Sequence, residues 1–153
     1  MNFPPIEELL LHRGTMLLID RVLDFDQKVV VVEYSPRRDA WYVDARGNMP
    51  AWIGLELMAH TIAVHVSLSK RMQGLPAQLG VLLGTRRFQT KTASFAAHSP
   101  LHIEAKPLMQ DESGLGAYEC RILAPDQILA EATLKVYEPE DPAQFLRMQE
   151  LTP

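Results

Sequence analysis

Residues 48–60 decide the fold of this chain: Asn48-Met49-Pro50-Ala51-Trp52-Ile53-Gly54-Leu55-Glu56-Leu57-Met58-Ala59-His60. The run reads as a turn, a proline at a helix start, and an apolar helix carrying one carboxylate. Apolar residues recur from Ile53 through Leu57, Ala59, Ile62, Ala63, Val64 and Val66 to Leu68. Nearly the whole circumference is apolar, so other elements must wrap the helix. Glu56 sits within it. Burying an ionised carboxylate costs several kcal/mol, roughly, unless it is paired, so this mismatch marks the place to look for chemistry.

Outward from the helix, the pattern becomes one of strands. Pro4-Pro5 opens a short helix, Ile6 to Leu11, ended by Gly14. Thr15 to Phe25 and Lys28 to Tyr34 predict two strands paired across Asp24 to Gln27. Pro36 to Asn48 is polar and predicts an irregular connection. The long helix runs from about Pro50 to about Gln73, where Gly74 and Pro76 stop it. Strands follow at Gly80 to Lys91, Leu101 to Gln110, Leu115 to Leu123 and Ile128 to Tyr137. Asp111-Glu112-Ser113-Gly114 suits a hairpin turn. The expected architecture is α+β: one domain over residues 1–138, with one long helix covered by a curled antiparallel sheet. Exposed sheet edges favour pairing with a second copy. The segment 139–153 is proline-rich and charged, and is expected to be a C-terminal tail that frays.

Composition narrows the function. The 153 residues carry a net charge of −4, which argues against a general nucleic-acid binder. Cys120 is the one cysteine, and its strand setting predicts a buried, inert thiol. A lone cysteine suits a reducing compartment, and no signal-peptide pattern opens the sequence, so a cytoplasmic location is expected. Glu56, His60 and His65 make the central helix a poor membrane span. His98 and His102 have no metal-ligand spacing, and neither a metal nor a cofactor is expected.

Glu56 and His60 are four residues apart and share a helix face, so they could form an acid–base pair. Alternatively, His60 simply satisfies Glu56 or packs at a dimer contact. His65 faces the opposite side and reads as structural. The backbone N–H groups of Ala51 and Trp52 follow Pro50 at the positive helix end, where they could polarise a carbonyl oxygen. His12 follows the first helix, where a histidine commonly meets the dipole. Trp52, Met58 and Phe88 could line a ligand tunnel or simply fill the core. Arg37, Arg38, Lys70, Arg71, Arg86, Arg87 and Lys91 are candidates for docking an acidic partner.

Two motifs carry a family resemblance. Leu9-Leu10-Leu11-His12-Arg13-Gly14-Thr15-Met16-Leu17-Leu18-Ile19-Asp20-Arg21-Val22 resembles the N-terminal signature of bacterial 3-hydroxyacyl-acyl-carrier-protein dehydratases. Met49-Pro50-Ala51 resembles their Met-Pro-Gly entry to the central helix, and Gly54-Leu55-Glu56-Leu57-Met58-Ala59 resembles the helix bearing their acidic residue. The likeness is strongest to the branch found in aryl polyene and related acyl-chain pathways. It implies the hotdog fold, dimeric through a continuous sheet. It also implies that Glu56 is the acidic catalytic residue, serving as acid or base, and that the Ala51 and Trp52 N–H groups hold the thioester oxygen. The family histidine, in a His-Phe-Pro-Gly run, is absent; an ungapped count puts Tyr42 in its place. His60, His12 or a paired subunit would have to replace it.

The implied activity is elimination of water from 3-hydroxyacyl thioesters of acyl carrier protein or coenzyme A. The alternatives are a hotdog thioesterase, in which Glu56 activates water, and a non-catalytic partner subunit. The chain would work as a homodimer or as a heterodimer with another hotdog subunit.

Overall fold

The computed structural model describes residues 2–10, 12–75 and 81–139. The order is α1 (Ile6–Leu9), β1 (Arg21–Asp26), β2 (Val29–Tyr34), β3 (Met49–Pro50), α2 (Gly54–Met72), β4 (Val81–Thr90), β5 (Ser94–Phe95), β6 (Leu101–Gln110), β7 (Leu115–Ala124) and β8 (Gln127–Tyr137). Short 3-10 turns occupy Gly14–Met16 and Ala51–Ile53. Six strands form one antiparallel sheet in the order β1-β2-β6-β7-β8-β4, while β3 and β5 pair separately. This is the expected hotdog arrangement of one long helix against a large curved sheet.

Alternation of side chains sets which face meets the helix. Val30, Val32 and Tyr34 of β2 are buried and their neighbours are not. Leu101, Ile103 and Ala105 of β6 continue that face, then Tyr118, Cys120 and Ile122 of β7 and Ala130, Ala132 and Leu134 of β8. Leu57, Met58, Thr61, Ile62, Val64 and Leu68 of α2 fill the space against it. The stretch Ala51–Met72 is long and apolar enough to cross a bilayer, but 67% of its most apolar window is buried inside the molecule, as suits a core helix. Gly54 permits this close packing: a Cβ there would stand 2.9 Å from Ile122 Cδ1.

Turn chemistry is local. Asp26 Oδ1 accepts the N–H groups of Lys28 and Val29, closing the β1–β2 hairpin, and Asp111 Oδ1 accepts those of Ser113 and Leu115. Gly74, at φ 70°, ends α2.

Three boundaries differ from expectation. The first helix stops at Leu9, because Leu10 is already extended. The strand expected from Thr15 begins at Arg21: Gly14, at φ 59°, starts a 3-10 turn, and Leu18 and Ile19 reach the core from irregular backbone. The long α-helix begins at Gly54, because Ala51–Ile53 wind as a 3-10 turn. Leu11, Pro76, Gly80 and residues 140–153 of the expected tail lie outside the described residues.

Candidate active site

Successive turns of α2 place Glu56, Ala59, His60, Ala63 and Val66 along one face, the spacing of a helical stripe. That face lines a cavity of about 260 Å³. Its other wall comes from the sheet, including Tyr118 of β7 and Val136 of β8. His12 joins Glu56 and His60 in the lining, so the three expected catalytic side chains meet in one place. Glu56 itself is exposed at the open side. The expectation of a buried carboxylate is thereby corrected: Glu56 reaches solvent where the cavity between helix and sheet opens.

His60 is buried, and each ring nitrogen lies against a main-chain carbonyl oxygen. Nδ1 is 2.7 Å from Glu56 O and Nε2 is 3.0 Å from Met16 O. A carbonyl only accepts, so His60 donates to one when neutral and to both when protonated. Neither nitrogen is left to meet a substrate. The His12 ring stacks on the His60 ring, with centroids 3.9 Å apart. The Arg13 guanidinium ties the segment down by donating to the carbonyls of Leu10 and His12. Burial lowers the His12 pKa, repulsion from His60 lowers it further, and the Glu56 carboxylate opposes both. His12 is therefore biased towards its neutral, proton-accepting form.

The helix entry differs from expectation. The Ala51 N–H is already used, donating to Ala93 O at 2.9 Å, so it is not the free donor expected there. Trp52 N–H belongs to the first turn, where no intrahelical acceptor exists. Trp52 stands one turn before Glu56, and its side chain is 62% exposed. Met58 is fully buried, on the sheet-facing side of the helix, and lies outside the cavity lining. Phe88 is half-buried against the helix start near Gly54, also outside that lining. The cavity walls are Ala59, Ala63, Val66 and sheet residues, whose signal in the sequence was the recurrence of Ala and Val along one helix face.

Tyr42, at the place of the family histidine, points elsewhere. Its hydroxyl is 2.7 Å from that of Tyr34 and accepts the Arg37 N–H at 2.9 Å. His65 is buried on the other side of α2, with Nε2 3.2 Å from Gln27 O and Nδ1 3.1 Å from the Tyr118 hydroxyl. Burial lowers its pKa. Cys120 is sealed in the sheet core, and burial pushes its thiol up to about 12. Among the expected docking cations, Arg37 pairs with Asp20, Lys70 with Glu138 and Arg71 with Glu8. Arg86, Arg87 and Lys91 make no ion pair among the described residues.

The helix wrapped by a curved sheet, with an acid–histidine cluster beside an open cavity, is that of a hotdog protein of the dehydratase type. Residues 4–147 match the model of the ApeP-like family, described as ApeP dehydratase, and the chain belongs to that family. It is similar to a chain of the dehydratase heterocomplex ApeI:P from Xenorhabdus doucetiae, at 25% identity and a TM-score of 0.89, covering 96% of this chain and 98% of that one. More distant likenesses show the fold alone. The Escherichia coli PaaI protein of the phenylacetic acid degradation operon is 16% identical, with a TM-score of 0.60, and 76% of this chain covers 81% of it. A hypothetical thioesterase with coenzyme A from Streptococcus pneumoniae is 15% identical, with a TM-score of 0.60, and 77% covers 84%. No curated protein sequence matches.

Proposed function

We propose that this dehydratase-family chain eliminates water from a 3-hydroxyacyl thioester, with His12 in the place of the family histidine. The observation that carries this is the meeting of His12, Glu56 and His60 in one cavity: both His60 nitrogens lie against carbonyls, whereas among the described residues no carbonyl holds a His12 nitrogen. The acyl chain lies along the α2 face, and the Trp52 N–H polarises the thioester carbonyl, acidifying C2. His12 removes the C2 proton, the C2–C3 double bond forms, and the C3–O bond breaks. The proton on His12 passes to the departing hydroxyl, giving water and a 2-enoyl thioester. Glu56 hydrogen-bonds the C3 hydroxyl and stabilises the imidazolium that forms. His60 is a positioning residue: it holds the Met16 carbonyl and supports the His12 ring.

The thioester is carried by acyl carrier protein or coenzyme A, with Arg86, Arg87 and Lys91 available to an acidic carrier. The exposed Glu56 face and the edge strand β4 suit pairing with another hotdog subunit, and the similar ApeI:P heterocomplex supports a heterodimer. A reducing cytoplasm suits the lone buried thiol. The test is mass spectrometry of 3-hydroxyacyl carrier protein incubated with the full chain and with Glu56→Gln. Loss of one water, abolished in the variant, is expected. Release of free acid would replace the lyase with a thioesterase, and an unchanged thioester would leave the isolated chain a partner subunit.

A further inference from the structure

The cavity does not end in apolar side chains. Fourteen residues separate Glu56 from Lys70, roughly 21 Å along the helix axis, and about 1,400° of rotation returns Lys70 close to the same face. There Lys70 Nζ lies 3.2 Å from Oε1 of Glu138, which also lines the cavity. The Glu138 side chain is only 11% exposed. Its Oε1 is sealed from solvent and, despite the nearby ammonium, has no hydrogen-bond partner among the described residues. Its backbone is pinned: the Glu138 N–H donates to Gly114 O at 2.9 Å. A Cβ on Gly114 would lie 2.2 Å from Glu138 O, so only glycine permits this approach. Tyr118 senses the same charge: burial first, and Glu138 second, push its phenol upward.

We infer that Glu138, held by Lys70 and Gly114, is a specificity-determining residue that ends the acyl cavity and excludes methyl-ended chains long enough to reach it. The cavity that Glu56 and Glu138 both line is walled also by Ala63, Val66, Leu82 and Val136, which welcome methylenes, beside the polar Gln110, Tyr118 and Tyr137. A methyl group pressed against the carboxylate supplies no hydrogen bond to an oxygen that already lacks one. The entry of each methylene is favourable until that point and unfavourable beyond it. This inference rests on the acyl-thioester reading of the site, and the experiment keeps the two apart by measuring binding rather than turnover.

A ladder of methyl-ended acyl-pantetheine amides, from four to fourteen carbons, is titrated calorimetrically into the full chain. Affinity is expected to rise with length and then fall by about tenfold between neighbouring members, about 1.4 kcal/mol. In Glu138→Leu the fall moves to chains at least two carbons longer. The double variant Lys70→Met with Glu138→Leu, which leaves no unpaired charge, should show the same shift and covers the case in which the single variant misfolds. A break at the same length in a folded variant overturns the inference, as does absence of binding at every length by the wild type. A shifted break without dehydration would sink the reaction while leaving the subsite standing.

Discussion

Replacing His12 with asparagine tests the proposed base most directly. A positioned general base contributes about 10²–10⁴-fold, so kcat/KM should fall by that factor, roughly 3–5 kcal/mol of transition-state stabilisation. The upper half of the range is expected here, because neither imidazole of α2 can step in and His98 and His102 do not line the cavity. His60 has both nitrogens against carbonyls, and His65 is on the far side of α2 against Gln27 and Tyr118. The wild-type pH profile carries a second signature. Burial and His60 lower the His12 pKa, so the basic form persists at neutral pH and activity declines only below the ordinary histidine value of 6.5. His60→Gln removes the repulsion and should move that limb up. Glu56→Gln removes the opposing attraction and should move the His12 titration down, read by NMR where turnover is too slow. Turnover of His12→Asn within twofold of wild type, or an acid limb indifferent to both neighbours, would refute the assignment.

Tyr42→Phe removes the acceptor of the Arg37 N–H and the partner of the Tyr34 hydroxyl, and should cost about 1–3 kcal/mol in denaturant unfolding. Its effect on kcat should be small, since Tyr42 does not line the cavity. His65 has a lowered pKa in the folded chain, so the unfolded chain takes up the proton first on acidification. Stability is therefore full above pH 6.5 and is lost as pH falls through the window down to the folded value, with a slope of up to about 1.4 kcal/mol per pH unit. His65→Gln should flatten that slope. Gly54→Ala gains about 1 kcal/mol of helix propensity but drives its methyl onto the fully buried Ile122, at about 1–3 kcal/mol. Thermal unfolding should show a net loss, and a stabilised variant would mean that Ile122 gives way.

The architecture was legible because its signals are periodic. Four valines in β2, alternating apolar residues in β6 to β8 and one helix-period run leave few other ways to bury the same side chains. The boundaries at Thr15 and Pro50 were missed for one reason: irregular or 3-10 backbone can deliver Leu18, Ile19 and Ile53 to the core as well as a strand or α-helix does. At the site, Glu56 and His60 were visible as a helix pair. The stacking of His12 on His60 spans 48 residues and depends on the turn at Gly14, which no local pattern encodes. Nor does any local pattern reveal that Ala93 takes the Ala51 N–H, because that bond joins segments 42 residues apart, the 3-10 turn before α2 and the bend before β5.

The exposure of Glu56 and the fate of Tyr42 have a common physical basis. A histidine in the loop before α2 would have to stand near the helix entry, but here that loop is stitched to the sheet edge. Tyr42 binds Tyr34, Arg37 binds Asp20, and Asp20 also accepts the Ser35 N–H. The loop is thus committed to structure, and its buried tyrosine could not swing out without breaking two hydrogen bonds. The N-terminal segment instead brings an imidazole onto His60, in the cavity beside the exposed Glu56. An open face with a carboxylate, a histidine and an apolar channel is a poor place for proton transfer until water is excluded. A second hotdog subunit laid over that face would exclude it, strengthening the Glu56–His12 interaction as the local dielectric falls. On this reasoning association and catalysis are coupled, and the dependence of turnover on subunit concentration should follow the dissociation constant of the complex.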